Sequence, residues 1–561
     1  MLKQRITVLL TISTILFLTG CGENQMENDL QTFIDAHVQK VEPIMKLMNE
    51  SYWNASISGN AEDYDKSAEY ELELRKIYSD TSDFAMLKTW QASGKIKDPM
   101  LSRQLDILYR SYLTNQVPED LLKQIVEKGK LVEKNFSTFR GKIRGREVTD
   151  NKIQEILKTE TKSTKRKDAW LASKQVGEVV ANDILELVKL RNEAAKQLGY
   201  ENYYVMSLDA AEQSPDELNS IFDELARLTD APFRELKTEL DGILAQRYGI
   251  SPDEMMPWHY HDPFFQEGPL VYDVNLDSYY ENQDVVELAK RFYQGIGLPV
   301  DDILARSDLY EKEGKNPHAF CTHIDRAGDV RVLCNVANNE RWMETMLHEL
   351  GHGVYDKNLD MQLPFLLREP AHIFTTEAIA MLFGRLSRNA TWLQGMLNID
   401  DTERANIEET VTQSLRLKQL VFARWCQVMV RFEQALYANP DQDLNTLWWD
   451  LVETYQFVQR PPHRQAPDWA AKIHFTIAPV YYHNYMLGEL LASQLHFQLL
   501  SKVMPEAGNQ SGTYVQQPEI GTYLKQNVFQ PGSEYRWNEM IQKATGEPLN
   551  PAYFVKQFIA S

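Results

Sequence analysis

A chain of 561 residues with 43% hydrophobic and 11% aromatic content is a folded protein, large enough for one big body or several lobes. Its formal charge of −21, from 59 Lys+Arg against 80 Asp+Glu, disfavours nucleic acid and anionic membrane surfaces as partners. No low-complexity tract argues for extended disorder.

Lys3 and Arg5 precede an apolar run from Ile6 to Leu18, closed by Leu18-Thr19-Gly20-Cys21. The run is short for a membrane span and reads as a secretory signal over residues 1–20. A cysteine after small residues resembles a bacterial lipobox, so Cys21 is expected to carry lipid and tether an exported body, residues 21–561, to a membrane.

Helical periodicity then dominates. Tyr70–Tyr78, Pro118–Phe136, Asp183–Leu198 and Pro215–Tyr248 place apolar residues at spacings of three and four with charges between. Pro232 is expected to split or kink the last of these. Ser214-Pro215-Asp216-Glu217 and Ser251-Pro252-Asp253-Glu254 both have the composition of helix starts. His318–Cys321 and Val330–Cys334 flank the turn Asp325-Arg326-Ala327-Gly328-Asp329, which predicts one small β-hairpin. Cys426 lies in an apolar helical run and reads as a buried free thiol. Prolines cluster at 461–467 and mark a loop.

Immediately after the hairpin, His348-Glu349-Leu350-Gly351-His352 carries the H-E-x-x-H pattern. Residues four apart share a helical face, so both imidazoles can reach one metal ion, and Glu349 can act as base on a water there. A catalytic zinc needs a third protein ligand. Thr375–Phe383 is an apolar helix with one embedded carboxylate, costly unless it is paired or metal-bound, which makes Glu377 that ligand. Glu369 competes, but its Pro-bounded loop suits a salt bridge. Farther on, Lys472-Ile473-His474 and Tyr481-Tyr482-His483-Asn484-Tyr485 offer hydrogen-bond donors for an oxyanion; the same residues could equally be an aromatic core helix.

The chain resembles the peptidyl-dipeptidase A (angiotensin-converting enzyme-like) family of zinc peptidases. Leu363-Pro364 through Leu367-Arg368-Glu369, followed by Glu377-Ala378-Ile379, is similar to the family's third-ligand stretch. Trp448-Trp449-Asp450-Leu451, Tyr455-Gln456, Pro461-Pro462, Asp468, Ala471, Lys472 and His474 resemble another family signature. Tyr52-Trp53-Asn54-Ala55 and Trp537 with Thr545-Gly546 extend the likeness to both ends.

The resemblance implies a mainly α fold: one large helical body split by a deep cleft, with helices of about residues 28–140 as a lid and the hairpin beside the zinc-binding helix. It implies His474 and Tyr485 as transition-state donors, Lys472 and Tyr482 on the substrate's terminal carboxylate, and a Cys321–Cys334 disulfide. Tyr260, near Trp258, stands where the family has a carboxylate-binding glutamine. Asn484 stands where the family has an arginine, so chloride activation is not implied. Oligopeptide hydrolysis with release of C-terminal dipeptides is the function expected. A thimet-type oligopeptidase, a single-residue carboxypeptidase and a peptide-binding lipoprotein are the alternatives; a pure binder has no use for Glu349.

Overall fold

Helices account for nearly all the regular structure of the computed structural model, which describes residues 2–272, 274–505 and 513–559, with side chains from residue 25 onward. The Cys21 side chain lies outside the described residues. Helix Pro215–Tyr248 has the bounds expected from its periodicity, and the Ser214 hydroxyl accepts from the Glu217 N–H at 3.2 Å to start it. Pro232 sits inside this helix without dividing it. The expected segments 70–78 and 183–198 are the ends of longer helices, Ala61–Tyr78 and Ser163–Gln197. Ser251 does not start an α-helix: its hydroxyl and backbone are satisfied by Glu254, and the chain makes a single 3₁₀ turn, Pro252–Glu254.

Two hairpins occur where one was expected. Strands β1 (Gly141–Ile143) and β2 (Arg146–Val148) form the first, too short to leave a clear alternation in sequence. Strands β3 (Phe320–His323) and β4 (Val330–Leu333) form the expected one, in antiparallel register with Cys321 opposite Val332. That register makes Cys334 a diagonal neighbour of Cys321, a separation of roughly 7–8 Å between backbones that suits packing better than a disulfide. Cys321 and Cys334 are free thiols, which corrects the expected pairing; Cys426 is free and buried, as its apolar run implies.

One large core, with Trp170, Trp392, Trp425 and Trp469 fully buried, runs through the long helices Ser163–Gln197, Asp401–Ala438 and His483–Lys502. The first helix and those at Ala61–Tyr78, Thr81–Ser93 and Pro99–Thr114 gather around a separate, smaller core, joined from the body, among the described residues, only by Phe365 and Leu366. Helix Glu119–Thr138, inside the expected lid, contributes Val132 to the main core instead. The N-terminal layer meets the body along a seam of charges and through Trp53 of the first helix, buried with Ile324 and Leu333 at the second hairpin. Arg103 pairs with Glu212, Arg110 donates to Asp209 at 2.8 Å, and Arg536 donates to Asp106 at 2.8 Å.

Candidate active site

Asn339 caps the helix Glu340–Lys357 by accepting from the Trp342 N–H at 2.9 Å, and this helix carries His348, Glu349 and His352. Glu377 comes from the next helix, Ile373–Gly384. Gly351 lets the two helices meet: a Cβ there would stand 2.8 Å from Ala380 Cα. On the other flank Gly488 admits the helix His483–Lys502, where a Cβ would lie 3.3 Å from Glu377 Cβ. Three helices therefore converge on one carboxylate.

The donor atoms converge too. His348 Nε2 and His352 Nε2 are 3.3 Å apart, and Glu377 Oε2 lies 3.7 Å from the first and 3.9 Å from the second. Ligands about 2.0–2.1 Å from a tetrahedral zinc are separated by about 3.3 Å, so this trio fits a small divalent cation with little movement. His352 Nδ1 is 2.8 Å from Thr376 Oγ1, a partner that fixes the ring's orientation. Burial holds His348 down to about 4 and His352 down to about 3, so both imidazoles stay neutral and ready to ligate. Burial first and Glu377 second raise Glu349 to about 8, and burial first and Glu489 second raise Glu377 to about 7. Crowded acids of this kind await a cation.

The cavity before these residues has a volume of about 740 Å³, with strand β3 on one side and Met45 and Asn49 of the first helix reaching over it. Asn49 Nδ2 donates to the Ile324 carbonyl at 3.0 Å, so the N-terminal layer is fastened to the hairpin. Among the described residues β3 pairs only with β4, which leaves its other edge free beside the cavity. Glu369 pairs with Arg326, the salt bridge its loop position suggests.

Tyr485 lies in the first turn of the helix His483–Lys502, three residues before Gly488 and so on the face turned to Glu377. Burial raises its hydroxyl pKa, with Glu377 adding to the shift. Its ring centroid lies 5.3 Å from that of Tyr481 and 5.3 Å from that of Tyr482. Tyr481 is raised by burial and then by Glu377 as well, but it precedes the helix. His474 stacks edge-on to Tyr482 at 5.3 Å and is held down to about 4 by burial, with Lys472 second. The site therefore gathers His474, Tyr481, Tyr482 and Tyr485 in one aromatic cluster.

Lys472 is buried against the Tyr482 and Trp425 rings, 5.5 and 5.2 Å from their centroids, and donates to Gln266 Oε1. Burial lowers its ammonium to about 8. Tyr482 Oη accepts from Trp425 Nε1 at 2.7 Å. Gln266 is presented by a loop that buried Asp262 ties down, accepting from the N–H groups of Phe264 at 2.8 Å and Glu267 at 3.1 Å. Tyr260 is elsewhere: its hydroxyl donates to Asp241 at 2.8 Å and accepts from Lys237 at 2.6 Å, two residues one helical turn apart. The structure thus corrects the expected role of Tyr260 and assigns the amide beside Lys472 to Gln266. A glutamine four residues after an acid that could cap its own loop was the available signal.

Helices that bring two imidazoles and two carboxylates together beside a free strand edge define a helical protein with a candidate metal centre. The chain belongs to the angiotensin-converting enzyme family: the family model described as "Angiotensin-converting enzyme" matches residues 24–260 and 268–558. It is similar to "Thermostable carboxypeptidase 1" of Pyrococcus furiosus, 22% identical over 468 residues, 77% of this chain and 85% of that protein. It is also similar to "Carboxypeptidase 1" of Bacillus subtilis, 26% identical over 296 residues, 48% of this chain and 56% of the relative. "Inactive angiotensin-converting enzyme-related protein" of Caenorhabditis elegans is 24% identical over 408 residues, 64% of this chain. The match spans 44% of that nematode protein, less than half its length. A relative named inactive means that activity has to be argued from this chain's own residues.

Proposed function

We propose that this protein is a zinc-dependent peptidase that removes dipeptides from the C-terminal end of oligopeptides. The observation that carries the reading is the buried Lys472–Gln266–Tyr482 group standing beside the Tyr485–Glu377 end of the His–His–Glu cluster. A lone buried ammonium with an amide and a phenol around it suits a substrate's terminal carboxylate. Tyr482 separates Lys472 from Tyr485 by ring contacts of 5.5 and 5.3 Å.

His348, His352 and Glu377 would hold the zinc. Zinc bound there supplies Lewis acidity to the scissile carbonyl and to the attacking water. Glu349 takes the water's proton and delivers it to the leaving amine. Tyr485 and His474 donate hydrogen bonds to the oxygen on which negative charge develops. The free edge of β3 pairs with the substrate backbone and holds it extended. Export and a lipid anchor at Cys21 belong to the same proposal, supported by the apolar run Ile6–Leu18 and the small residues before Cys21.

Three measurements test the reading. His348→Ala and Glu377→Ala should lose bound zinc on metal analysis, whereas Glu349→Gln should keep zinc and peptide binding but lose nearly all turnover. A short peptide with a free C-terminus should release a dipeptide first, and its amidated form should react much more slowly. Lys472→Ala or Gln266→Ala should erode that preference. Single residues as first products would favour the carboxypeptidase activity named for two of the relatives, and equal rates on free and amidated peptides would favour internal cleavage.

A further inference from the structure

Two buried ions of opposite sign hold the chain that runs from His474 to the tyrosine cluster. Arg191, on the helix Ser163–Gln197, donates from Nη1 to the Phe475 carbonyl at 2.9 Å and from Nη2 to the Thr476 carbonyl at 2.7 Å. Glu433, on the helix Asp401–Ala438, accepts from the Val480 N–H at 2.8 Å. Glu433 is 3% exposed, and among the described residues that N–H is its side chain's one hydrogen-bond partner and no ion pair joins it. A carboxylate is costly to bury: burial pushes this one up to about 7, with the Val480 N–H and then Arg191 pulling the other way. An apolar side chain of similar length would fill the same space at less cost, so packing does not explain the acid.

The backbone it holds is strained. Val480 has a φ of 54°, in the left-handed region. Among the described residues it is the one with a branched Cβ whose φ is positive, and branched side chains suit that region least. Such a conformation persists where its surroundings impose it. Without Glu433 the Val480 N–H would be left buried and unpaired, and the bend would lose the contact that imposes it.

The bend stands between the two proposed transition-state donors. His474 lies before it, and Tyr485 lies after it, in the first turn of a helix whose close contact at Gly488 already fixes its place beside Glu377. His474 and Tyr485 each meet Tyr482, with ring centroids 5.3 Å apart in both pairs. The conformation at Val480 therefore decides how the His474 side of the chain folds back on the Tyr485 side. We propose that Glu433 is a positioning residue, whose hold on the Val480 N–H keeps that residue left-handed and so sets His474 and Tyr482 against Tyr485. The proposal rests on the peptidase reading above for what His474 and Tyr485 do, and on geometry alone for what holds them.

Steady-state kinetics on a short peptide with a free C-terminus, and crystal structures of the zinc-loaded proteins, test the assignment. Glu433→Leu removes the acceptor and fills its space; kcat should fall about 10- to 100-fold, the range reached when a catalytic group is misplaced by up to about 1 Å. KM should stay within about threefold, because Lys472 keeps its own contacts with Gln266 and Trp425. Glu433→Gln keeps an acceptor and should hold kcat within about threefold of wild type. Adding Val480→Gly to Glu433→Leu lets the bend form without a Cβ and should recover about tenfold of the loss, which a merely structural role for Glu433 would not allow. Val480→Pro lacks the N–H and is barred from positive φ, so it should match Glu433→Leu, and it carries the test if that protein does not fold. In the crystals Val480 should leave the left-handed region in Glu433→Leu and keep it in Glu433→Gln. An unchanged kcat in both Glu433→Leu and Val480→Pro, equal losses in Glu433→Leu and Glu433→Gln, or a left-handed Val480 in Glu433→Leu would overturn the proposal. Failure of the wild-type protein to cleave any peptide would instead count against the peptidase reading, and the φ of Val480 in the variants would still decide what Glu433 holds.

Discussion

Replacing Gly351 with alanine asks whether the packing of two helices sets the metal site. A Cβ at Gly351 would stand 2.8 Å from Ala380 Cα and 3.1 Å from Ala380 N, both backbone atoms that cannot turn aside. Ordinary contact begins near 3.4 Å, so the helices must part by 3.4 − 2.8 = 0.6 Å. Metal–ligand distances tolerate about 0.2 Å, and Glu377 lies only three residues before Ala380 on the displaced helix. Alanine gains about 1 kcal/mol of helix propensity over glycine, while overpacking costs about 1–3 kcal/mol. Stability should therefore fall by about 2 kcal/mol at most. Zinc affinity should drop by about 10- to 100-fold, the scale seen when the support of a metal ligand is disturbed. Competition against a chromogenic chelator measures the affinity, and thermal unfolding of metal-free protein measures the stability. Zinc affinity within about twofold of wild type would refute the argument that this contact sets the ligand geometry.

Tyr485→Phe should lower kcat on the order of 10²-fold with little change in KM, and Tyr481→Phe should not; the reverse pattern moves the oxyanion donor to Tyr481. Tyr260→Phe should leave KM for free-carboxylate peptides unchanged and cost about 1–3 kcal/mol in urea unfolding, because buried Lys237 and Asp241 both lose their hydroxyl partner. A tenfold rise in that KM, about 1.4 kcal/mol, would return Tyr260 to the site. Burial holds His37, His259 and His323 down to about 4, and His261 and His483 down to about 3. These folded values lie below the unfolded value of about 6.5, so the stability they contribute is complete above that pH and is lost as pH falls towards 4. Urea unfolding at a series of pH values should show this loss, and His483→Gln should make it shallower; parallel profiles for the two proteins would contradict it.

The parts legible in the sequence were those with a local period. Helix Pro215–Tyr248 declared its start through Ser214, and His348 and His352 shared a face because a helix puts residues four apart there. Glu377 was legible for another reason: a carboxylate in an apolar helix has to be answered by something. Gln266 was hidden because its place beside Lys472 depends on a loop held by Asp262, and loop geometry leaves no periodic trace. Tyr260 misled because proximity to Trp258 in sequence says nothing about the Lys237–Asp241 pair that captures its hydroxyl. The Cys321–Cys334 pairing failed on register, which places Cys321 against Val332.

The seam between the N-terminal layer and the body has a consequence for how the layer is held. Arg103, Arg110 and Arg536 meet Glu212, Asp209 and Asp106 across it, while most of the layer's apolar residues are buried among themselves. Charge is one part of that fastening: Trp53 of the first helix is buried with Ile324 and Leu333 at the hairpin, so lifting the layer would bring apolar surface to water there. Ions in solution compete for such a fastening, and their screening length shrinks from about 10 Å at 0.1 M to about 3 Å at 1 M. Salt therefore loosens the charged part of the seam, while the apolar Trp53 contact is left to hold the layer.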